Sequence, residues 1–536
     1  MKIEIYDTTL RDGMQGAGIS FSDEEKIKVI HALDELGISY IEVGFYTGSD
    51  RETAFFSNSE LKKLKNAKIV AFCPTRRAGE KAADSPVLRE IASSDVGCVA
   101  IFGKASLTQV ERVLRTTPDE NIAMITDTIE YLRSAGKEVI FDAEHFFDGY
   151  GDSPAYALST LEAAHSAGAS TLVLCDTNGG MLPDIVGMIV EAVRKKLPGA
   201  RVGIHCHNDL GMAVACSLSG VIAGAVQLHG TVAGIGERCG NANIITLIPM
   251  LQLKLGFECI EPHRLPLLNR LSREICEIAN IEFNEREPFV GGYAFTHKAG
   301  THIDAVRKTP GSFEHIDPAD VGNTRNILIS ELSGRAALAE RMSRILPSLT
   351  KDSPEVAAAL EVVRRYESRG YQYESAEASL MLLLWGALGL RRKFFSIDTF
   401  NVIVGQPYGS RHCGLEGGGS NCSAIIKVTV DGSTEITAAE GEGPVNALDL
   451  ALRKALLRFY PVLGRVRLTD YKVRVPSSGD AATASAVRVF IESTDGERVW
   501  RTTGVSTDII DASWQALLDS IEFRLLAGEI GFPTET

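Results

Sequence analysis

The first 255 residues of the chain repeat one unit, in which a short run of β-branched and other apolar residues is followed by a polar loop and an amphipathic helical stretch. This repetition predicts eight strands, each followed by a helix. The first helix is predicted to begin at Ser22, because Glu25 follows three residues later in the pattern of a capping box. The predicted strands are Ile3–Tyr6, Tyr40–Phe45, Lys68–Cys73, Cys98–Gly103, Glu138–Ala143, Thr171–Cys175, Arg201–His205 and Ala225–His229.

The order and length of these units predict the fold class. Eight alternating strands and helices fit a (β/α)8 TIM barrel over residues 1–260, with functional side chains where the strands end and the loops begin. A doubly wound open α/β sheet is the structural alternative. Strand patterns disappear over 261–392, which predicts a helical connector subdomain with the His-rich loop VGGYAFTHKAGTHIDAV. Alternating patterns return over 393–536 and predict a C-terminal α+β domain.

Composition excludes several classes of partner. The chain of 536 residues carries 55 Lys and Arg against 69 Asp and Glu, and its net charge of −14 repels nucleic acid and anionic membrane surfaces. The longest apolar stretch, over 378–390, is shorter than the ~20 residues that a membrane span needs, so it predicts a buried helix. The 10 Cys are scattered and the N-terminus lacks a signal-peptide pattern, which predicts reduced thiols and a cytoplasmic protein.

A metal site is indicated at the end of the seventh predicted strand, which runs into the sequence His-Cys-His-Asn-Asp. Residues two apart on a strand face the same side, so His205 and His207 can both reach one ion at the mouth of the barrel. Strands one and eight would be neighbours in a closed barrel, and both end in oxygen donors. Those candidate donors are Asp7, Asp12, Glu237, Asn241 and Asn243.

Two imidazoles with carboxylate and amide oxygens form a borderline-hard ligand set. Such a set suits Zn, Mn, Co or Mg and leaves positions open for a substrate oxygen. Arg11, which lies between Asp7 and Asp12 in the sequence, could stabilise negative charge that develops beside the ion. The sequence therefore predicts metal-dependent catalysis at this end of the barrel.

The motifs DTTLRDGMQ, HCHND and GIGERCGNAN resemble those of the DRE-TIM metallolyases, which include the 2-isopropylmalate, homocitrate and citramalate synthases. The segments EHFFDGY, CDTNGG, PADVGN, SELSGR, YESAEASL, EGEGPVNALDLALRKAL and ASWQALLDS resemble the long-form (R)-citramalate synthases, so the resemblance covers nearly the whole chain. It implies a TIM barrel, a helical connector and a C-terminal regulatory and dimerisation domain of the 2-isopropylmalate synthase type.

The resemblance also implies roles for individual residues. It makes Arg11, Asp12 and Glu144 the three-residue signature of the family, and it makes His302 the base that takes a proton from acetyl-CoA. Phe313 stands where related synthases commonly have a Tyr that assists this base. The implied metal ligands are Asp12, His205, His207 and Asn241. The implied catalytic residues are Arg11, Glu144 and His302, and the implied substrate-binding residues are Arg11, Gln15 and Thr177.

The activity implied by the resemblance is a Claisen-type condensation of acetyl-CoA with a 2-oxo acid, most simply pyruvate, followed by hydrolysis to (R)-citramalate and CoA for isoleucine synthesis. A homodimer that responds to an end-product amino acid is implied as well. The loop over 44–50 departs from the usual pattern of the long citramalate synthases, which keeps open a sister synthase for another 2-oxo acid: a 2-isopropylmalate, homocitrate or specialised-pathway alkylmalate synthase. A retro-aldol or acyl-CoA lyase on the same barrel is the other alternative.

Overall fold

The structure is a computed structural model that describes residues 1–297, 302, 305–306, 308–327, 334–343, 345–405, 421–475 and 486–530. The chain divides into two compact units. The first contains Met1–Thr296 and Glu314–Asn326, and the second contains the described parts of 297–313 and 327–536. The boundaries that we predicted at 260/261 and 392/393 stay a prediction.

The first unit is built on a closed barrel of eight parallel strands in sequential order, in which β8 pairs back onto β1. The predicted TIM barrel is confirmed, and the alternative of a doubly wound open sheet is wrong. Every predicted strand agrees with the observed one to within two residues at each end. The strands are β1 Glu4–Asp7, β2 Tyr40–Phe45, β3 Lys68–Pro74, β4 Cys98–Lys104, β5 Glu138–Glu144, β6 Thr171–Asp176, β7 Val202–Cys206 and β8 Gln227–Gly230.

Helices surround the barrel on the outside. The first of them begins as predicted, since the Ser22 side chain accepts a hydrogen bond from the backbone of Glu25 while the Glu25 carboxylate accepts one from the backbone of Ser22. The α-helices of this unit are α1 Asp23–Leu36, α2 Asp50–Phe56, α3 Pro86–Ser93, α4 Pro118–Ser134, α5 Phe146–Asp152, α6 Pro154–Ser166, α7 Pro183–Lys196, α8 Ala213–Ile222, α9 Ile244–Pro249 and α10 Leu267–Ile278.

The core of this unit has two layers. A large apolar cluster fills the space between strands and helices. A smaller cluster fills the inside of the barrel and includes Tyr6, Tyr40, Phe72 and Val173. Because strand residues alternate between these two layers, polar residues at inward positions near the strand ends are brought to the mouth of the barrel.

The connector region contains two short strands, β9 Thr296–His297 and β10 Asn326–Ile327, where we predicted helix and loop alone. Two residues are too short for a run of alternating side chains, so no periodic signal marks them. Further along the chain, the helices α11 Gly334–Ser343, α12 Pro354–Glu367 and α13 Glu377–Ala387 follow. Helix α13 carries the apolar stretch that predicted a buried helix, and most of its side chains are buried.

The second unit also contains the two three-stranded antiparallel sheets of the predicted α+β region. Helix α14 Pro444–Leu456 packs on the first sheet and helix α15 Ile509–Ile530 on the second. The first sheet consists of β11 Ser396–Gly405, β12 Asn421–Val430 and β13 Ser433–Gly441. The second consists of β14 Arg467–Arg474, β15 Val487–Thr494 and β16 Val499–Ser506. The mixed helix and sheet content predicted for this region is confirmed.

The helices and the cysteines of the described ranges bear on two of the predictions from the sequence. No helix in the described ranges combines the length and the apolar composition that a membrane crossing requires. The nine cysteines in the described ranges are free thiols, and all of them except Cys239 are buried.

Candidate active site

Three potential metal ligands meet at the carboxyl ends of β1 and β7. His205 lies in β7 and His207 follows it at the same side of the barrel mouth. Asp12 lies in the turn after β1, at the start of the short 3-10 helix Gly13–Gln15. Each of the three side chains is buried and offers one ligand atom, and these atoms lie within 4.8 Å of one another.

Both imidazoles direct the same nitrogen at one carboxylate oxygen. Nε2 of His205 lies 3.3 Å from Oδ2 of Asp12, and Nε2 of His207 lies 3.8 Å from the same oxygen. Both oxygens of Asp12 are buried and make no hydrogen bond with the described residues. Buried polar atoms are normally hydrogen-bonded, so atoms left unpartnered in a converging set indicate a ligand site.

The charges of this cluster suit a cation. Burial opposes ionisation of Asp12, but Arg11 and the two imidazoles outweigh it and hold the pKa of this carboxyl well below its usual range. Burial, with a contribution from His205, lowers the pKa of His207 to about 4. At neutral pH the site therefore presents a carboxylate and a neutral His207, the protonation states in which these side chains bind metal.

The loop after β8 places a further candidate donor, Asn241, next to His207. Asn241 forms an isolated backbone bridge with His207, and its Oδ1 is buried and makes no hydrogen bond with the described residues. The turn depends on Gly240, whose φ is 88° and where a Cβ would lie 2.0 Å from the carbonyl oxygen of Gly234. The two imidazoles and the carboxylate fit a divalent cation such as Zn, Mn, Co or Mg, and the Asn241 amide oxygen is a further candidate donor.

A fixed positive charge lies beside these ligands. Arg11 donates from Nε to Oε1 of Glu42, its Nη1 lies 3.4 Å from Oδ2 of Asp12, and its guanidinium carbon lies 3.9 Å from the centre of the Phe72 ring. Burial alone would lower the pKa of Arg11, but Glu42 and Asp12 raise it above its ordinary value. Arg11 is thus held on three sides as a permanent cation.

Glu42 is the site residue that the sequence analysis missed. The signature implied by resemblance combines Arg11 and Asp12 with Glu144, whereas the structure brings Arg11 and Asp12 together with Glu42. Glu42 lies in the middle of β2, and its side chain is fully buried. A carboxylate inside an otherwise apolar strand needs a buried cation as its partner. The position of Glu42 in such a strand was therefore the sequence feature that could have identified it as a site residue.

Glu144 lies at the end of β5, next to the end of β4. Its Oε2 accepts a hydrogen bond from Nζ of Lys104 at 2.5 Å, and the two residues are paired in the strand register. Nε2 of His145 lies 3.9 Å from the other carboxylate oxygen of Glu144. Glu144 is therefore a half-buried carboxylate at the barrel mouth whose charge is neutralised by Lys104.

Thr177 and Arg238 connect the loops that follow β6, β7 and β8. The Thr177 hydroxyl accepts a hydrogen bond from the His145 backbone at 2.8 Å, and the Thr177 carbonyl accepts one from Arg238 at 2.8 Å. Arg238 also donates twice to the Asp209 carboxylate, at 2.8 and 3.0 Å. Gln15 is exposed at the end of the 3-10 helix after β1.

His302 belongs to the second unit. Its side chain is exposed, and its ring stacks on that of Phe313 with the ring centres 4.2 Å apart and the planes inclined by 27°. Several of its neighbours in the His-rich loop, 298–301, 303–304 and 307, lie outside the described residues.

Three family models match successive parts of the chain. Residues 2–268 match the HMGL-like family, and residues 289–369 match the homocitrate synthase post-HMGL domain-like family. Residues 374–525 match the LeuA allosteric (dimerisation) domain. The barrel, connector and C-terminal region thus each correspond to a known domain type.

Relatives match over nearly their full length. The (R)-citramalate synthase of Aquifex aeolicus is 46% identical over 528 residues, which cover 98% of each chain. That of Geobacter sulfurreducens is 47% identical over 527 residues, again 98% of each chain. The 2-isopropylmalate synthase of Pyrococcus furiosus is 31% identical over 529 residues, 97% of this chain and 98% of the relative. The chain belongs to the (R)-citramalate synthase family of the DRE-TIM metallolyases.

Proposed function

We propose that the chain is an acyltransferase that condenses acetyl-CoA with pyruvate and hydrolyses the thioester to (R)-citramalate and CoA, a step of isoleucine synthesis. The full-length identity carries the choice of substrate, because it is 46–47% to two (R)-citramalate synthases against 31% to a 2-isopropylmalate synthase. The reaction class is supported by the buried ligand cluster beside Arg11.

We assign one divalent ion, Mn, Zn, Mg or Co, to Asp12, His205, His207 and Asn241. Their buried oxygens and converging imidazoles support this set. A bound ion supplies Lewis acidity, which makes the keto carbon of a 2-oxo acid more electrophilic.

Arg11 is proposed to stabilise the negative oxygen that develops when acetyl-CoA loses a methyl proton. Its guanidinium is charged at all working pH values and is already oriented by Glu42 and Phe72, so little reorganisation is needed during the reaction. The enolate carbon then forms a bond to the keto carbon of pyruvate, the π electrons of the C=O bond move to its oxygen, and that oxygen takes up a proton to become the hydroxyl of the product. Water cleaves the thioester, and the release of CoA makes the condensation irreversible.

The remaining groups at the mouth are proposed to bind and orient substrate. Glu144, held by Lys104, orients the substrate or relays a proton. The Thr177 hydroxyl accepts a bond from the His145 backbone and keeps its own proton to donate to the carboxylate of the oxo acid. Gln15 is assigned to substrate binding at the first loop.

We further propose that the chain works as a cytoplasmic homodimer whose C-terminal domain binds an end-product amino acid, most simply isoleucine. The match to the LeuA allosteric (dimerisation) domain over 374–525 supports this assignment. An effector can slow the barrel only if it favours one of two conformations of the protein.

Substrate choice is tested by measuring free thiol with acetyl-CoA and a panel of 2-oxo acids. We expect kcat/KM for pyruvate to exceed that for 2-oxoisovalerate and 2-oxoglutarate by at least 10-fold, which is about 1.4 kcal/mol of transition-state preference. A larger oxo acid that outperforms pyruvate by this factor would identify a sister synthase. Cleavage of a hydroxy acid or acyl-CoA without thiol release from acetyl-CoA would identify a lyase.

His302 is proposed as the general base. We expect His302→Ala to lower kcat by at least ~100-fold, the lower end of what general-base catalysis supplies, with metal affinity unchanged. His297→Ala, at the other end of the same run, is the matched control and should keep kcat within a few-fold. Phe313→Tyr should leave kcat intact or raise it. A near-normal kcat for His302→Ala would shift the base role towards Glu144.

A further inference from the structure

A chain of hydrogen bonds joins the guanidinium of Arg11, the candidate catalytic charge, through Glu42 to Tyr6. Arg11 donates to Oε1 of Glu42, and the hydroxyl of Tyr6 donates to Oε2 of the same carboxylate at 2.6 Å. Glu42 and Tyr6 are both fully buried. Each oxygen of Glu42 therefore has one strong partner, and the carboxylate plane is fixed from both sides.

The ring of Tyr6 is itself held in place. It stacks on His229 with the ring centres 3.8 Å apart and the planes inclined by only 4°. His229 in turn is joined to the Gln227 side chain at 3.0 Å. Since β8 pairs with β1 at this level, the Tyr6 hydroxyl is aimed at Glu42 by the barrel sheet itself and not by a loop.

The proton on Tyr6 stays in place under all working conditions. Burial, together with the negative charge of Glu42, raises the pKa of Tyr6 well above its ordinary value. The hydroxyl is therefore a permanent donor to Glu42. If it were removed, Oε2 of a fully buried carboxylate would lose its partner, and Glu42 could rotate and carry the guanidinium of Arg11 with it.

We propose that Tyr6 is a positioning residue for the condensation, which acts through Glu42 to aim the Arg11 guanidinium at the developing negative oxygen. The proposal rests on the proposed function, because it assumes that Arg11 stabilises that oxygen. Small displacements of a preorganised charge are costly, since transition-state stabilisation depends on donors that are already in position.

The barrel provides a matched control for removal of this hydroxyl. Tyr40 is the register partner of Tyr6 on β2, and the two rings stack at 5.9 Å. The Tyr40 hydroxyl, however, donates to Glu138 at 2.9 Å and does not contact Glu42 or Arg11 in the described structure. Tyr6→Phe and Tyr40→Phe thus make the same chemical change on neighbouring strands with different partners.

The test is thiol release with acetyl-CoA and pyruvate, combined with titration of Mn²⁺ followed by electron paramagnetic resonance. We expect Tyr6→Phe to lower kcat by about 10- to 100-fold, with KM for pyruvate and Mn²⁺ affinity within about 3-fold of wild type. Tyr40→Phe should keep kcat within about 3-fold. A normal kcat for Tyr6→Phe, equal losses in both variants, or a parallel loss of Mn²⁺ affinity would overturn the proposal.

A double-variant cycle tests whether Tyr6 acts through Glu42. In a Glu42→Gln background, Tyr6→Phe should cause little further loss of kcat, whereas an undiminished loss would contradict the proposed route. If Glu42→Gln does not fold, Arg11→Lys provides the second background with the same expectation. Failure of the wild type to release thiol with pyruvate would refute the proposed function instead, and the cycle would then use whichever oxo acid the panel identifies.

Discussion

His207→Ala is expected to lower kcat for citramalate formation by about 1000-fold while the protein remains folded. Lewis-acid activation contributes several kcal/mol, and each ~1.4 kcal/mol corresponds to a factor of ten in rate. His207 lies at the mouth of the barrel, whereas the large apolar cluster that stabilises the barrel lies between strands and helices. The variant should therefore lose Mn²⁺ affinity by more than 100-fold without losing its secondary structure.

The measurements are Mn²⁺ titration, circular dichroism and thiol release. His165→Ala, an exposed histidine near the end of α6, is the matched control and should behave as wild type. Treatment with a chelator should abolish turnover in the wild type, and added Mn²⁺ should restore it. Full activity of the metal-free enzyme would refute the assigned role of the ligand cluster.

Much of the barrel could be predicted because its signals are local. The second strand, Tyr40–Phe45, is predicted and observed with the same limits, since Ser39 precedes it and the turn residues Thr47 and Gly48 follow shortly after it. The eighth strand begins two residues later than predicted. Ala225 is apolar, but its N–H donates to the carbonyl of Gly220 at the end of α8 instead of entering the sheet. Hydrophobicity alone does not distinguish an apolar residue that closes a helix end from one that begins a strand.

The metal cluster was partly predictable for the same reason. The HxH spacing places His205 and His207 on one side of a strand, whatever the rest of the fold. Spacing alone left Asp7 and Asp12 as equal candidates. The structure separates them, because the Asp7 carboxylate is engaged by the backbone and hydroxyl of Thr9 at 3.0 and 2.7 Å. Asp12 instead directs Oδ2 at the imidazoles, and neither of its oxygens makes a hydrogen bond with the described residues.

Contacts between strands could not be predicted from the sequence. The partner of Arg11, which lies in the turn after β1, is Glu42 on β2, so this contact depends on how the turn folds back over the neighbouring strand. The partner of Glu144 on β5 is Lys104 on β4, and this pairing depends on which side chains face the same way at the same height of the barrel. A shift of one residue in register would turn such a side chain to the opposite face. A motif identifies which residue type stands at each position. It does not show the ion pairs of Arg11 and Glu144, which form only when the strands come together in the closed barrel.

Arg11→Lys is expected to lower kcat by about 100- to 1000-fold, the range found when a preorganised donor to a developing oxyanion is removed. Lysine keeps the positive charge, but a single ammonium cannot donate to Glu42, approach Asp12 and lie flat on Phe72 at once. The variant would keep the positive charge but lose the fixed direction of its hydrogen-bond donors. We therefore expect Mn²⁺ affinity to stay within about 3-fold of wild type, since no assigned ligand is changed.

The matched control for this prediction is Arg76→Lys. Arg76 is also a buried guanidinium between two carboxylates, with Glu120 and Asp127 each at 2.7 Å, but it contacts none of the assigned ligands. Its replacement should lower the melting temperature while kcat stays within about 3-fold of wild type, because losing a partner of a buried charge costs stability. Equal losses of kcat in Arg11→Lys and Arg76→Lys would mean that buried arginines act here through stability alone. A selective loss in Arg11→Lys would show that the oriented guanidinium, and not its charge by itself, supports the condensation.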